Sequence, residues 1–259
     1  MGALDNYECD GQIDLFSVGH PEPVKEEKDS TEQPAENNGH KSYKMQIAEC
    51  ITGMSGKYSA YEIFSDWVEM LAIAIQNNCT VVHNKLWKQR EQQYIQTFSR
   101  YSQHEKEIIF KMTGLLTLAF EEEIADVLGE IYMEAGCGSR ATGQFFTPFH
   151  VSRMCAELTI PHDVDENHRY VMNEPSTGGG GMIIAAARVL NDRGLNYQRC
   201  MKVTAQDMDW KAVYMTYVQV SLLGIDAAIV QGNTLTEPYV HGYPDERVFY
   251  TPRRMGMII

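Results

Sequence analysis

The chain has 259 residues and a formal net charge of −13 at pH 7. This charge argues against a surface that binds nucleic acid over its whole area, although it does not exclude a local basic groove. No apolar run approaches the roughly 18 residues that a membrane-spanning helix requires, and the N-terminus lacks the basic-then-apolar pattern of a signal peptide. We therefore expect a cytoplasmic protein without a membrane segment.

Residues 1–42 have the composition of a disordered acidic tail. They hold ten Asp and Glu residues against three Lys residues, a net charge of −7 by that count. The polar stretches 21–30 and 34–39 bury too little apolar surface to offset the entropy that ordering would cost. The folded part of the chain is expected to begin near residue 43.

A helical region is predicted over residues 43–140. Capping boxes at 59–62 and 102–105 mark the starts of two helices whose apolar residues recur at helical spacing. Further helices are expected over 84–101 and 121–135, the second of them ended by glycines.

From residue 141 to 259 the pattern becomes one of alternating strands and helices. Thr147 is predicted as the N-cap and Pro148 as the first residue of a helix that stops near Pro161. Strands are then expected near 169–173, 200–206, 226–231 and 247–250, with helices near 180–192 and 209–223. This β-α-β-α-β series predicts the α/β class, with a parallel sheet and right-handed crossovers.

A glycine-rich turn follows the first predicted strand, where residues 173–182 read Asn-Glu-Pro-Ser-Thr-Gly-Gly-Gly-Gly-Met. Glycines let a backbone turn tightly and approach a ligand, and the helix that follows adds unpaired N–H groups. The turn is neither a G-x-G-x-x-G fingerprint nor a phosphate-binding P-loop. Glu174 would repel a pyrophosphate but suits a ligand with an ammonium group, which favours S-adenosylmethionine over NAD or ATP.

Polar residues follow the next two predicted strands, at the sheet edge where ligands of doubly wound folds bind. Asp207 lies at the end of the second strand and can accept hydrogen bonds from ribose hydroxyls, whereas Asp209 better fits the start of the next helix. Both carboxylates could instead only cap that helix. Asn233 follows the third strand, where its side chain could bind an exocyclic amino group or only form a turn.

Four motifs in this order resemble those of adenine-specific N6 DNA methylases, in particular the modification subunit of type I restriction–modification systems. They are residues 142–148, 174–182, 206–209 and 232–235. Residues 126–132 also resemble the helix that precedes the first motif in that family, so the resemblance covers about 120–235.

The resemblance implies a Rossmann-like, S-adenosylmethionine-dependent methyltransferase sheet. By motif match the cofactor-binding residues are Phe146, Thr147 and Pro148 near the methionine end; Glu174, Pro175, Thr177 and Gly178 in the turn; Asp207 at the ribose; Met208 beside the adenine; and Asn233 near the adenine amino group. The implied activity is methyl transfer to N6 of an adenine that is flipped out of DNA. No metal-ligating set is predicted.

The catalytic motif of that family, Asn-Pro-Pro-Phe/Tyr, occurs nowhere in the sequence. After the last predicted strand the chain reads Tyr250-Thr251-Pro252, and these three residues are the only catalytic candidates. Tyr250 would stack on a base, and Thr251 or a backbone carbonyl would accept one hydrogen bond. The glycine turn, by contrast, keeps the acid, the proline and the glycines of the family pattern.

Two functions therefore stay open. The first is a DNA adenine-N6 methyltransferase, and the second is a non-catalytic, cofactor-binding subunit that regulates or decoys a restriction–modification complex. The resemblance also implies more strands than this chain supplies, so the sheet is expected to be incomplete and to expose an apolar edge. The segment 255–259, a partner subunit or a second copy of the chain is expected to cover that edge.

Overall fold

The computed structural model describes residues 41–138, 146–165, 168–239 and 243–257. The expected tail lies outside the described residues except for positions 41–42, and so do residues 142–145 of the first motif. The described elements are α1 (Tyr43–Met54), α2 (Ala60–Asn78), α3 (Lys85–Phe98), α4 (Gln103–Glu122), α5 (Val127–Glu134), α6 (Phe149–Thr159), β1 (Tyr170–Glu174), α7 (Gly181–Asp192), α8 (Tyr197–Cys200), β2 (Met201–Asp207), α9 (Trp210–Leu222), β3 (Asp226–Gln231), a 3-10 turn (Asp245–Arg247) and β4 (Val248–Tyr250).

Both predicted capping boxes are confirmed. Ser59 caps α2 together with Glu62, and Ser102 caps α4 together with Glu105, in each case with both reciprocal hydrogen bonds. Each box satisfies backbone N–H groups that a helix start otherwise leaves without partners.

The helix predicted over 121–135 is wrong at its beginning. Helix α4 continues to Glu122, and the chain is extended at Glu123 before α5 begins at Val127. The reason is Asp126, whose side chain accepts a hydrogen bond from Gly129 N at 3.0 Å and starts a new helix.

The sheet has the strand order β1-β2-β3-β4. The first three strands are parallel, with Glu174 opposite Ala205 and Asp207 opposite Gln231, so their carboxyl ends meet at one edge. Strand β4 is antiparallel to β3, and Tyr250 pairs with Ala228 near the start of β3. The end of β4 therefore lies at the opposite end of the sheet from the carboxyl ends of β1–β3.

The helices before the sheet share its core. Helix α2 packs on α9, α1 packs on α4 and α5, and α6 packs on α7. A hydrogen bond also joins α2 to the sheet, because Tyr250 N on β4 donates to the Gln76 side chain at 3.2 Å. No helix in the described part of the chain is both long enough and apolar enough to cross a membrane.

The last described residues lie beside β4 rather than β1. Met257 N donates to Pro252 O, and Met255 lies 3.7 Å from the Gln76 amide through its sulfur atom. Among the described strands, β1 pairs only with β2, and Val171 on β1 is 72% exposed. The part of 255–259 that the structure describes thus does not cover the β1 edge.

Candidate functional site

The glycine turn between β1 and α7 has a backbone shape that requires glycine at two positions. Gly178 and Gly180 have φ angles of 53° and 93°, and Gly180 is the N-cap of α7. A Cβ atom on Gly178 would lie 3.2 Å from the ring of Phe146. A side chain at Gly178 would combine left-handed backbone strain with a close contact to the Phe146 ring, so the conformation of this turn favours glycine there.

Helix α9 fixes the turn from behind. Thr216 Oγ1 donates to Gly178 O at 3.0 Å, and Gln219 Nε2 donates to Gly179 O at 2.7 Å. Both side chains are fully buried. These two hydrogen bonds hold the carbonyl groups of Gly178 and Gly179 against α9 and so fix the backbone conformation of the turn.

Asp126 completes this support from the N-terminus of α5. Its Oδ1 accepts hydrogen bonds from Gln219 Nε2 at 2.7 Å and from Gly129 N at 3.0 Å. Burial raises the pKa of the Asp126 carboxyl, and these hydrogen bonds only partly oppose that rise. One local signal points to the α9 contacts, because Thr216 and Gln219 are polar residues three apart within a mostly apolar helix.

Asp207 ends β2 beside the turn, as predicted. Its Oδ2 accepts from Gly178 N at 2.9 Å and its Oδ1 from Asp209 N at 3.0 Å. A carboxylate has about four acceptor positions, so capacity remains for ligand hydroxyls. Asp209 is the N-cap of α9 and accepts from Lys211 N, which confirms its placement at the helix start.

Glu174 ends β1 and is half-buried next to Asp207. Its Oε1 accepts a hydrogen bond from Ser176 N at 3.2 Å. Burial raises the pKa of the Glu174 carboxyl, and the negative charge of Asp207 raises it further. Two neighbouring carboxylates, one of them partly desolvated, form an environment that a cationic group stabilises and that a phosphate does not.

The loop after β3 is tied to the turn through Thr234, which the sequence did not single out. Thr234 Oγ1 donates to Pro175 O at 2.6 Å. The Asn233 side chain accepts from Leu235 N at 3.0 Å, which is the turn-forming role that the sequence left open. The structure brings Asn233 to the same edge of the sheet as Asp207, through Gly232 N, which donates to Asp207 O at 2.8 Å.

The remaining predicted cofactor residues differ in their exposure and in their contacts at the carboxyl edge of the sheet. Met208 is 65% exposed at the end of β2. Thr177 is buried, and its Oγ1 lies 3.1 Å from Thr216 Oγ1, so its side chain supports the turn from the interior. Phe146 lies against Gly178 and packs edge-on against Tyr132 with ring centroids 5.2 Å apart.

The start of α6 corrects one prediction. Thr147 is not the N-cap, because Pro148 takes that position and its carbonyl accepts from the N–H groups of Val151 and Ser152. The extended backbone at Pro148, with ψ of 135°, delays the helix to Phe149. Thr147 and Pro148 line a cavity of about 470 Å³, and Asp126 and Phe146 also reach it.

The catalytic candidates do not lie at the turn. Thr251 is fully buried, where its Oγ1 donates to Ile225 O at 2.7 Å and accepts from Ala227 N at 3.0 Å. These partners precede or begin β3, at the end of the sheet away from Asp207. Tyr250 pairs with Ala228 near the start of β3, and its hydroxyl lies 3.3 Å from that of Tyr239 in the loop after β3. Pro252 follows Thr251, and no hydrogen bond among the described residues joins any of the three candidates to the glycine turn.

Comparison with known proteins bears on the same region. Among solved structures, the methyltransferase subunit of a type I restriction-modification system from Streptococcus thermophilus is similar, at 16% identity and a TM-score of 0.42. The alignment covers 74% of this chain and 43% of that subunit, so the chain spans less than half of its length. A family model described as N-6 DNA Methylase matches residues 123–256, which is more than half of the chain and includes the glycine turn and the ends of β2 and β3. The chain belongs to the N-6 DNA methylase family.

Proposed function

We propose that the chain binds S-adenosylmethionine at the carboxyl edge of β1–β3 and serves the methylation of adenine N6 in DNA. The observation that carries the proposal is the hydrogen bond from Gly178 N to Asp207 Oδ2, at 2.9 Å. It joins the backbone turn that would face the cofactor to the carboxylate that would hold the ribose. When bound, the cofactor supplies an electrophilic methyl group on a sulfonium.

The chemistry of the residues present fits this cofactor better than a nucleotide polyphosphate. Glu174 and Asp207 interact closely enough for the charge of Asp207 to raise the pKa of Glu174. A positively charged sulfonium or ammonium group near them relieves that repulsion, whereas a pyrophosphate would add to it. Phe146 gives an apolar wall over Gly178, and Met208 gives an exposed apolar surface for an adenine ring.

The family also supports a role on DNA together with a partner. The similar solved structure is named as one subunit of a restriction-modification system, and we propose a comparable subunit role for this chain. The β1 edge, which has no further strand in the described residues, is a suitable place for a partner subunit or a second copy.

Calorimetric titration of the full chain with S-adenosylmethionine tests the cofactor proposal. We expect saturable binding that weakens by roughly tenfold or more in Glu174→Gln and in Asp207→Asn, because each substitution removes one carboxylate charge from the site. Glu121→Gln is the matched control, since Glu121 is exposed at the end of α4. Unchanged affinity in both site variants would remove the turn from consideration as the cofactor site.

A methyl-transfer assay on mixed-sequence DNA separates the two candidate functions. Transfer by the purified chain supports a DNA adenine-N6 methyltransferase. The amino-acid sequence contains no Asn-Pro-Pro-Phe/Tyr motif, which favours a cofactor-binding, regulatory or decoy subunit as the second candidate. Cofactor binding without transfer, in the purified chain, supports that second function.

A further inference from the structure

A second cavity, of about 410 Å³, lies between α2, α3, α9 and β4. Three aromatic side chains line it, namely Trp210, Tyr214 and Phe249. Trp210 and Tyr214 stack with ring centroids 5.5 Å apart, and both meet Phe249 edge-on. A volume of this size lies in the range of small-molecule sites. Polar or charged residues make up half of the lining, namely Glu69, Gln89, Arg90, Gln93 and Glu246.

Arg90 is the cation of this cavity. Arg90 is 8% exposed, and its guanidinium carbon lies 4.6 Å from the ring centroid of Phe249. One of its N–H groups donates to Val248 O at 3.3 Å. An arginine has five N–H donors, and no ion pair within the described residues includes Arg90.

The position of Arg90 is costly if packing is its only purpose. Burial lowers the pKa of Arg90 below its usual value, which reports a charge that its surroundings do not fully compensate. The face of the Phe249 ring attracts the guanidinium and offsets part of this cost. The single hydrogen bond to Val248 O still leaves other N–H donors of Arg90 without a partner among the described residues. A buried guanidinium that keeps unused donors beside a cavity is better explained by an anionic ligand.

The acidic residues near the cavity do not take that role. Glu69 accepts hydrogen bonds from Gln93 Nε2 at 3.0 Å and from Thr97 Oγ1 at 3.3 Å, both of them neutral donors. Burial raises the pKa of the Glu69 carboxyl. Glu246 lines the cavity as an exposed residue, and Asp245 acts on Arg90 only through its charge.

We propose that this cavity binds a small aromatic carboxylate, with the carboxylate on the Arg90 guanidinium and the ring among Trp210, Tyr214 and Phe249. The planar fork of a guanidinium matches a carboxylate with two parallel hydrogen bonds. The lining of this cavity includes neither Asp207 nor any residue of the glycine turn, so the proposal adds a second ligand and does not depend on the proposed cofactor.

Titration of the full chain with 3-phenylpropionate, followed by ligand-observed NMR, tests the site. We expect saturable binding in the millimolar range or below, and binding weaker by roughly tenfold or more for the isosteric neutral 3-phenylpropionamide. Arg90→Met should weaken binding of the acid to the level of the amide. Lys88→Met is the matched control, because Lys88 is an exposed cation on the same helix.

Two further measurements separate ligand binding from a structural role of Arg90. Urea unfolding of Arg90→Met should show stability close to that of the unsubstituted chain, because the loss of the hydrogen bond to Val248 O and of the contact with Phe249 is offset by removal of a buried cation. Glu174→Gln should leave phenylpropionate affinity unchanged. The proposal fails if phenylpropionate does not saturate, if the amide binds as tightly as the acid, or if Arg90→Met binds as well as Lys88→Met.

Discussion

Glu174 has opposite effects on stability and on the proposed cofactor binding. Because its pKa is raised in the folded protein, mainly by burial, the folded state holds the proton more tightly than the unfolded state does. The stability that this proton gives is fully present below the ordinary Glu pKa and is lost as pH rises through the raised value. At neutral pH the ionised Glu174 therefore destabilises the fold.

We predict that Glu174→Gln raises the free energy of unfolding at neutral pH, with a gain that shrinks as pH falls through the raised pKa of Glu174 and is absent below the ordinary Glu pKa. Urea unfolding at a series of pH values measures this directly. Glu121→Gln, at an exposed position, should lack a comparable pH-dependent gain. If Glu174→Gln destabilises the chain at neutral pH, the side chain is not the desolvated carboxylate that the structure describes, and its hydrogen bond to Ser176 dominates instead.

The position of a side chain can be predicted from the sequence where that side chain acts next to its own strand or helix. Asp207 and Asp209 were assigned to the end of β2 and the start of α9 from their positions alone. Thr177 was different, because its side chain bonds to Thr216, and no local pattern records a partner 39 positions away. Whether the predicted set binds the cofactor stays a prediction.

At the scale of elements, α5 depends on a glycine inside a helix. A Cβ atom on Gly129 would lie 2.2 Å from Asp126 Oδ2, inside the carboxyl that caps the helix and supports the glycine turn. Asp126 is almost fully buried and bonded, so it cannot simply move aside. Alanine would normally stabilise a helix relative to glycine, and at this position the close contact reverses the sign.

We predict that Gly129→Ala destabilises the chain by about 1–3 kcal/mol, as is usual for overpacking. Gly114→Ala in α4 is the matched change, because no atom lies within 4 Å of the added Cβ. It should stabilise by about 0.4–1 kcal/mol. Thermal or urea unfolding of the two variants decides this, and equal effects of the same sign would contradict the contact at Asp126.

The elements themselves were largely readable from the sequence, because capping boxes and apolar periodicity are local signals. The beginning of α5 was missed because an apolar run continues across Asp126, and the cap is visible only when its carboxyl is seen to bond Gly129. The antiparallel direction of β4 was also beyond local patterns, since pairing with β3 is set by the fold around a short strand. Because β4 is antiparallel to β3, Tyr250 pairs with Ala228 near the start of β3 and not near its carboxyl end.

For the whole molecule, the predicted boundary between residues 43–140 and 141–259 divides a core that the structure builds from both parts. Helix α2 packs on α9, and Trp67, Met112 and Val218 are all fully buried. Arg90 on α3 reaches the carbonyl of Val248 on β4. Elements that bury their apolar faces against each other should lose their structure together, because neither part keeps a complete core without the other.

We therefore predict that the helices and strands described between residues 43 and 257 unfold as one cooperative unit. Met112→Ala, in α4, should cost about 2–5 kcal/mol through the cavity that it leaves. Native-state hydrogen exchange should then show the same loss of protection for the slowest amides of α4 and of β2, because both exchange only through global unfolding. Met45→Ala is the control, since Met45 is 40% exposed and its loss should change neither. A loss of protection confined to α4 would instead mean that the helical region opens independently and that the sheet, with the glycine turn, can be studied alone.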